Sequence, residues 1–281
     1  MSGFIKIRAK ELLLNNTLKL FLVSATAFIL KLTTTASLVI LTNAILISQF
    51  FQNLVISYNS FLVYFIYSLA TVTLYLLLLL FICGLKMGEK AIYFMQSKGS
   101  KASFKYLFIF LRPTQSFRAL YLYLKLFFLK TAWFLYFYMA PIFCLLLVLF
   151  LYFNTSTYSA VLLTLIFGSV FLLSISHFYY NAVIIRYNYA IYYLCTDIKI
   201  SVKQAINKSV DYSDGFIKDG IILKSSFFFW LISCILVLPI FYVVPFKKLT
   251  SAKFITFTDS LHKNPYLQLN RAGNLKSDRI Y

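Results

Sequence analysis

Acidic residues are scarce in this chain, and charged residues of any kind are few. Its 281 residues include 8 Asp and Glu against 27 Lys and Arg, and only 12% of the chain is charged. A soluble domain carries about a quarter charged residues. Here 61% of the residues are hydrophobic and 20% are aromatic, and the mean hydropathy is +0.80. This balance excludes a disordered chain and an ordinary soluble domain, and it indicates an integral membrane protein.

Glycine, proline and cysteine are also few, at 8, 5 and 4 residues. So little glycine and proline, without a repeat, excludes collagen and low-complexity sequence. The cysteines are Cys83, Cys144, Cys195 and Cys234, and no two of them form a CxxC pair. This spacing predicts neither a zinc site nor a disulfide framework. We expect all four to be apolar side chains in a reducing setting.

Long apolar runs are abundant. A helix needs about 20 apolar residues to cross the hydrocarbon core. Four runs predict transmembrane helices, and a fifth is interrupted by prolines. In order they lie within 20–49, 61–83, 131–153, 158–185 and 227–246. The sequence therefore predicts an all-α, polytopic helical membrane protein with four clear spans and a fifth, irregular segment.

Lysine and arginine collect in the connections between these runs. The loops at 50–60 and 154–157 carry no charge, whereas the N-terminus and the connections 84–130 and 186–224 are rich in lysine and arginine. Basic connections stay on the cytoplasmic side, so the pattern predicts a multi-pass protein of the cell membrane with a cytoplasmic N-terminus. Membrane orientation accounts for the positive charge, and we expect no nucleic-acid partner.

The fifth run, 227–246, contains Pro239 and Pro245. Proline breaks or kinks a helix, and a single crossing here would export the basic tail 247–281. We therefore expect a hairpin or re-entrant pair: a helix over about 216–236, a break near Pro239 and a returning helix, with a cytoplasmic C-terminus. A single crossing is the alternative.

The first sixteen residues predict a short interfacial helix. Wound as a helix, they place Phe4, Ile5, Ile7, Leu12 and Leu14 on one broad side. Lys6 and Lys10 lie opposite, and Leu13 falls on the polar side. The predicted organisation is thus an interfacial helix at 1–16, a helical membrane bundle at 17–246 and a basic tail at 247–281.

A second amphipathic helix is predicted after the fourth run. Ile198, Val202, Ala205, Ile206 and Val210 recur with helical spacing. We expect Thr196 or Asp197 to cap its N-terminus and Gly215 to end it. This helix either lies on the lipid headgroups or docks against the bundle.

The same region carries a resemblance to a known family. The quoted residues are the run YNYAIYYL at 187–194, which contains Ala190, then Asp197, Ala205, Ser209, Gly215, Trp230 and Pro245. In these positions the chain resembles a family of bacterial integral membrane proteins known as domain of unknown function 975. The resemblance implies a multi-span protein of the cytoplasmic membrane whose last helices form a hairpin. It implies no activity.

Five cations are candidates for contact with anionic lipid headgroups or a partner protein: Lys31, Arg118, Lys125, Lys130 and Arg186. Lys31 has two possible positions. In a span over 20–41 it lies at the midplane, whereas in a span over 32–51 it lies at the cytoplasmic boundary, where its stem can snorkel.

No catalytic set is evident in the sequence. All 8 acidic residues fall outside the clean apolar runs, and no phosphate loop, nucleophile elbow or metal motif occurs. We therefore expect a non-enzymatic membrane protein without metal or cofactor, which acts through helix packing and a basic cytoplasmic face toward membrane lipid or a membrane protein partner. The alternative is a transporter or permease component with a site near the proline-interrupted spans.

Overall fold

The computed structural model describes residues 2–57, 60–100, 102–154, 159–196, 200–228, 230 and 240–263. Within these ranges the fold is all-α and contains no strand. Eleven helices are present there, in this order: α1 (Ser2–Leu14), α2 (Thr17–Ile47), α3 (Gln49–Ser57), α4 (Ser60–Ser97), α5 (Tyr106–Ile109), α6 (Pro113–Asn154), α7 (Ser159–Asn188), α8 (Ala190–Thr196), α9 (Val202–Ser213), α10 (Ile217–Ser225) and α11 (Ile240–Lys263).

Four of the described helices are long and apolar enough to cross a membrane. They are Thr17–Ile47, Ser60–Ser97, Pro113–Phe153 and a stretch from Leu163 to Thr196 that includes α8. The most apolar 18-residue window of α4 is 0% buried within the chain, so its surface is available to lipid. The prediction of an all-α, multi-pass membrane protein with four clear spans is confirmed.

Two compact units make up the chain. The N-terminal unit consists of Phe4–Leu122 and Trp230–Thr256, and the central unit consists of Met1–Gly3, Tyr123–Phe229 and Phe257–Tyr281. In the N-terminal unit α2 packs along α4, with α3 between them in sequence and α5 against α4. In the central unit α9 packs on α7 and α8, and α10 packs on α7.

The core of the N-terminal unit lies at one end of α4. Residues 61–82 of α4 are largely exposed, whereas nearly all residues from Cys83 to Ser97 are buried. This buried half packs on α2, and Lys248 and Lys253 of α11 bond to it. In the same unit Leu20 and Val23 of α2 and Leu249 and Ile255 of α11 are at 0% exposure. We call this the Glu89 end of the unit, after the acidic residue within it. Each large apolar side chain withdrawn from water there contributes about 1.5–3 kcal/mol.

Two glycines allow α5 to approach α4 closely. A Cβ on Gly88 would collide with the backbone carbonyl of Leu107, and a Cβ on Gly84 would lie 2.7 Å from the carbonyl oxygen of Phe110. Ser116 Oγ donates to the same Phe110 carbonyl over 2.7 Å. Because glycine has no side chain, α4 presents a notch into which the backbone of the 107–110 segment fits.

Helix α1 buries a narrower stripe than its sequence predicts. Ile5, Ala9 and Leu13 are 0–1% exposed, whereas Phe4 and Leu14 are more than half exposed. The assignment of Leu13 to the polar side was therefore wrong. Ile5, Ala9 and Leu13 are four residues apart and therefore lie on one face of the helix. The sequence alone does not single out this buried face, because other apolar residues lie between its members.

The cap of α9 also differs from the prediction. Ser201 forms a capping box, in which its Oγ accepts from the Gln204 amide over 3.2 Å and its own amide donates to Gln204 Oε1 over 3.0 Å. Thr196 instead ends α8 and donates to the Tyr193 carbonyl. The helix begins later than expected because Ser201 and Gln204 satisfy its first amides reciprocally.

Docking against neighbouring helices accounts for the apolar face of α9. Val202, Ala205, Ile206 and Ser209 are buried where α9 packs on α7 and α8. Gly215, at φ 81°, lies in the turn that follows, a conformation that glycine adopts without strain. Of the two positions left open for this helix, the structure has the docked one.

Prolines inside helices do not end them here. Pro141 lies within α6 and Pro245 lies within α11. The proposed break near Pro239 lies outside the described residues, as do Asp197, Ile198 and the segment 264–281. Residues 247–263, assigned to the basic tail, form the second part of α11, in which Leu249, Ala252 and Ile255 are fully buried.

Candidate functional site

A cluster of polar side chains lies at the Glu89 end of the N-terminal unit. It consists of Ser24 and Lys31 of α2, Glu89 and Tyr93 of α4, and Lys248 of α11, and we call it the Glu89 cluster. The Glu89 side chain is only 8% exposed. Burying a carboxylate is costly unless it is paired, and this one is paired from two sides.

Two lysines share the Glu89 carboxylate. Lys31 Nζ lies 3.5 Å from Oε2, and Lys248 Nζ donates to Oε1. Lys248 also donates to Ser24 Oγ over 3.2 Å and lies over the Tyr93 ring, 5.8 Å from its centroid. Because two ammonium groups share one carboxylate, the three charges sum to +1. The two ion pairs join α2, α4 and α11.

Hydroxyl groups complete the Glu89 cluster. Ser24 Oγ lies 3.0 Å from Glu89 Oε1 and 2.7 Å from Tyr93 Oη. Tyr93 Oη in turn donates to the Leu20 carbonyl over 3.1 Å, so Tyr93, itself 0% exposed, ties α4 to the first turn of α2. The arrangement pairs the buried Glu89 carboxylate with two cations and a hydroxyl donor, and it ties α2, α4 and α11 together.

The ion pair with Glu89 shows which part of α4 lies beside Lys31. Glu89 lies beyond the apolar run of α4 that ends at Cys83. Toward the other ends of the two helices, Tyr67 of α4 donates to the Thr42 carbonyl of α2 over 2.8 Å, so α2 and α4 run antiparallel. The register places Lys31 level with the end of the apolar run of α4.

Lys253 of α11 lies close to the same end of the unit. Its Nζ donates to the Ser97 carbonyl over 2.8 Å, which satisfies one of the last carbonyls of α4. Burial lowers the pKa of Lys253 below its usual value of 10.5, and the positive charge of Arg8 lowers it further.

In the central unit, Lys130 lies at the start of the apolar run of α6. Its Nζ donates to Asn188 Oδ1 of α7 over 2.9 Å. One turn further on, Trp133 Nε1 donates to Tyr187 Oη over 3.2 Å. Trp133 and Tyr187 thus join α6 and α7 beside Lys130 and Asn188.

A second lysine reaches the same helix. Lys224 of α10 donates to Asn181 Oδ1 over 2.6 Å, and the Asn181 amide nitrogen donates to the His177 carbonyl over 2.8 Å. This second bond orients the amide so that its oxygen faces the lysine. The positive charge of Lys224 also acts on Lys130. We call Lys130, Asn181, Asn188 and Lys224 the lysine–asparagine site.

Arg186 has a protein partner in the structure. Its Nη2 lies 3.8 Å from Asp214 Oδ1, and Ser209 Oγ donates to its backbone carbonyl. Arg186 Nε is buried without a hydrogen-bond partner among the described residues. The residue therefore ties α7 to α9 and to the turn after it.

The remaining cations predicted to contact lipid or a partner lie on α6. Arg118 is half-buried and donates to Gln115 Oε1 over 3.4 Å, and Lys125 is half-buried. The five candidates are divided between the units: Lys31 and Arg118 belong to the N-terminal unit, and Lys125, Lys130 and Arg186 belong to the central unit.

The positions that carry the family resemblance differ in burial and in the element to which they belong. Ala190, Ala205 and Ser209 are fully buried, whereas Trp230 is 51% exposed. Gly215 forms the turn after α9, and Pro245 lies in α11. Asp197 lies outside the described residues.

Sequence reasoning did not identify Glu89 and Lys248 as partners. The only available signal was that Glu89 is an acidic residue in a strongly basic connection. Gly84 and Gly88 are a clearer signal in the sequence, because glycines four residues apart let helices approach closely. Here they indicate the contact of α4 with the 107–110 segment. In the described part of the chain, no three His, Cys, Asp or Glu side chains converge as a metal would require.

Comparisons with protein-family models, with curated proteins and with solved structures found no match for this chain.

Proposed function

We propose that this chain is a non-enzymatic protein of the cytoplasmic membrane whose basic cytoplasmic face binds anionic lipid. The observation that carries the proposal is the arrangement of α9. Its apolar residues are used in packing on α7 and α8, while Lys203 and Lys208 remain exposed on the other side. The helix is held in place by protein contacts, and its lysines are presented outward.

Charge supports this function. The inner leaflet is anionic, and each basic side chain near its surface contributes about 1 kcal/mol. The chain carries a net charge of +19, concentrated in the connections that the distribution of lysine and arginine assigns to the cytoplasm. Several such contacts together suffice for a preference for anionic over zwitterionic lipid.

A role without catalysis is proposed because the sequence offers no nucleophile with a base and no intramembrane carboxylate. The proposal is also consistent with the family resemblance, which implies a multi-span membrane protein and no activity. On this account the Glu89 cluster stabilises the packing of α2, α4 and α11 rather than acting on a substrate.

Hydrogen exchange tests the proposal. The protein is reconstituted into nanodiscs of phosphatidylcholine alone or with phosphatidylglycerol, and amide exchange is measured over 202–213. We expect slower exchange with phosphatidylglycerol, and we expect Lys203→Gln with Lys208→Gln to abolish the difference. Asn207→Gln is the matched control, since it alters an exposed neutral residue of the same helix. Equal exchange of the unmodified protein in both lipids would contradict the proposal.

A further inference from the structure

We infer that the lysine–asparagine site of the central unit binds the phosphate group of one anionic phospholipid. This inference deepens the proposed function by naming a discrete site, and it shares the assumption that this end of α6 faces an anionic leaflet. The site is distinct from the exposed lysines of α9, which contact lipid without a defined geometry.

The hydrogen bonds of the site provide the first argument. Lys130 and Lys224 donate to Asn188 and Asn181, which lie seven residues apart and therefore on one side of α7. Amide oxygens are neutral, so these two bonds orient the ammonium groups and leave their positive charge in place. A lysine ammonium has three donors, and the bond to Asn188 occupies one of those of Lys130.

Burial of Lys130 provides the second argument. Its side chain is half-buried, so it has lost part of its hydration, and the positive charge of Lys224 acts on it. A withdrawn cation beside a second cation is unfavourable in isolation. An anion bound by both would remove this cost and add charge-assisted hydrogen bonds.

The depth of the site indicates the kind of anion. Trp133 and Tyr187, joined by their hydrogen bond, form an aromatic pair of the type found at headgroup level. Lys130 immediately precedes the apolar run of α6. A group at this level is at the depth of lipid phosphates, so the site fits the phosphate of an anionic phospholipid whose chains lie along α6 and α7.

Native mass spectrometry of the detergent-purified protein tests the site. We expect one phosphatidylglycerol molecule to remain on the unmodified protein, and we expect Lys130→Gln to weaken its retention about tenfold, the effect of one lost charge-assisted hydrogen bond. Lys218→Gln is the matched control, because it removes an exposed lysine of α10, the helix of Lys224, that lies outside the site. Equal retention by the Lys130→Gln and Lys218→Gln variants would overturn the inference.

Asn188→Asp keeps the test independent of folding defects. The substitution is nearly isosteric and supplies Lys130 with an internal carboxylate. We expect the melting temperature of the lipid-free protein to rise and the retained phosphatidylglycerol to be lost. A variant that is stabilised yet keeps its lipid would contradict the site.

Two further arms identify the anion and separate this inference from the proposed function. Phosphatidylglycerol should raise the melting temperature of delipidated protein, whereas inorganic phosphate at the same concentration should not; an equal effect of phosphate would overturn the assignment to lipid. Lipid-dependent protection of α9 should persist in Asn188→Asp. If α9 shows no lipid response but Asn188→Asp still loses a retained lipid, the proposed function fails and the site stands.

Discussion

Glu89 of α4 is the ion-pair partner of Lys248 of α11, a residue 159 positions later in the chain. Lys31 of α2 shares the same carboxylate. One side chain thus holds three helices of the N-terminal unit together at the end where its core lies. The consequences of this arrangement can be measured.

Replacement of Glu89 by glutamine should destabilise the protein by about 3 kcal/mol, because it leaves two lysines next to a buried site without their carboxylate. The measurement is the melting temperature in detergent. Glu11→Gln is the control, since it breaks the Arg8–Glu11 pair, in which both side chains are more than half exposed. Such surface pairs contribute about 0–1 kcal/mol.

A double-mutant cycle identifies the source of that loss. Lys248→Met alone should cost less than Glu89→Gln, because Lys31 still neutralises the carboxylate. The two substitutions together should cost less than their sum, by about 0.5–3 kcal/mol. Strict additivity, or a Glu89→Gln variant as stable as Glu11→Gln, would show that the cluster does not lock the helices.

Gly88→Ala should be strongly destabilising, since the new Cβ collides with the backbone of Leu107, whose carbonyl carbon would lie at 2.8 Å. A backbone contact has no side chain that could move aside, so α5 must shift away from α4. Gly168→Ala is the matched control: it lies in α7 with nothing within 4 Å of the new Cβ, and helix propensity favours alanine by about 1 kcal/mol. Melting temperatures of the two variants should move in opposite directions; a Gly88→Ala protein as stable as the unmodified one would disprove close packing there.

Lys253 should impose a pH dependence on stability. Its pKa in the folded protein lies below the usual 10.5, so between these two values the unfolded chain binds more protons than the folded one. Stability therefore rises with pH across that alkaline window, and the cost of burying the charged lysine is fully present below it. The check is the difference in melting temperature between the unmodified protein and Lys253→Met as a function of pH. A flat or falling difference would contradict the burial of this lysine.

Ser201→Ala should cost about 1 kcal/mol, since it removes the side-chain acceptor of the α9 capping box. Thr196→Ala serves as the comparison, because Thr196 bonds within α8 and does not cap α9. Protection of the first amides of α9 from hydrogen exchange should fall in Ser201→Ala only. An equal loss of protection in the two variants would contradict the assignment of Ser201 as the N-cap of α9.

The spans and the face of α9 could be predicted from the sequence because each depends on local periodicity. Uninterrupted apolar runs indicate crossings, and the spacing of Val202, Ala205 and Ile206 indicates one buried face. The continuation of α4 to Ser97 was not expected, since the prediction followed hydropathy, which ends at Cys83. Helical hydrogen bonding continues past that point, and Gly84 and Gly88 are used for packing instead of ending the helix.

The Glu89 cluster could not be predicted because its members come from three distant segments. Lys31 showed only that a cation lies in an apolar stretch, and Lys248 was one of several lysines assigned to a tail. Their pairing depends on the antiparallel register of α2 with α4 and on the contact of α11 with α4, and neither is encoded in a local pattern. The lysine–asparagine site depends in the same way on lysines of α6 and α10 that reach asparagines of α7.

We propose that α4 crosses the membrane with its Glu89 end in the cytoplasm, the side to which the distribution of lysine and arginine assigns the basic connections. Cysteine labelling with a membrane-impermeant reagent tests it, in a variant whose native cysteines are replaced by serine. Ser57→Cys and Lys98→Cys place exposed thiols near the two ends of α4. We predict labelling of Ser57→Cys in intact cells and of Lys98→Cys only after permeabilisation. Labelling of both in intact cells, or the reverse order, would contradict the account.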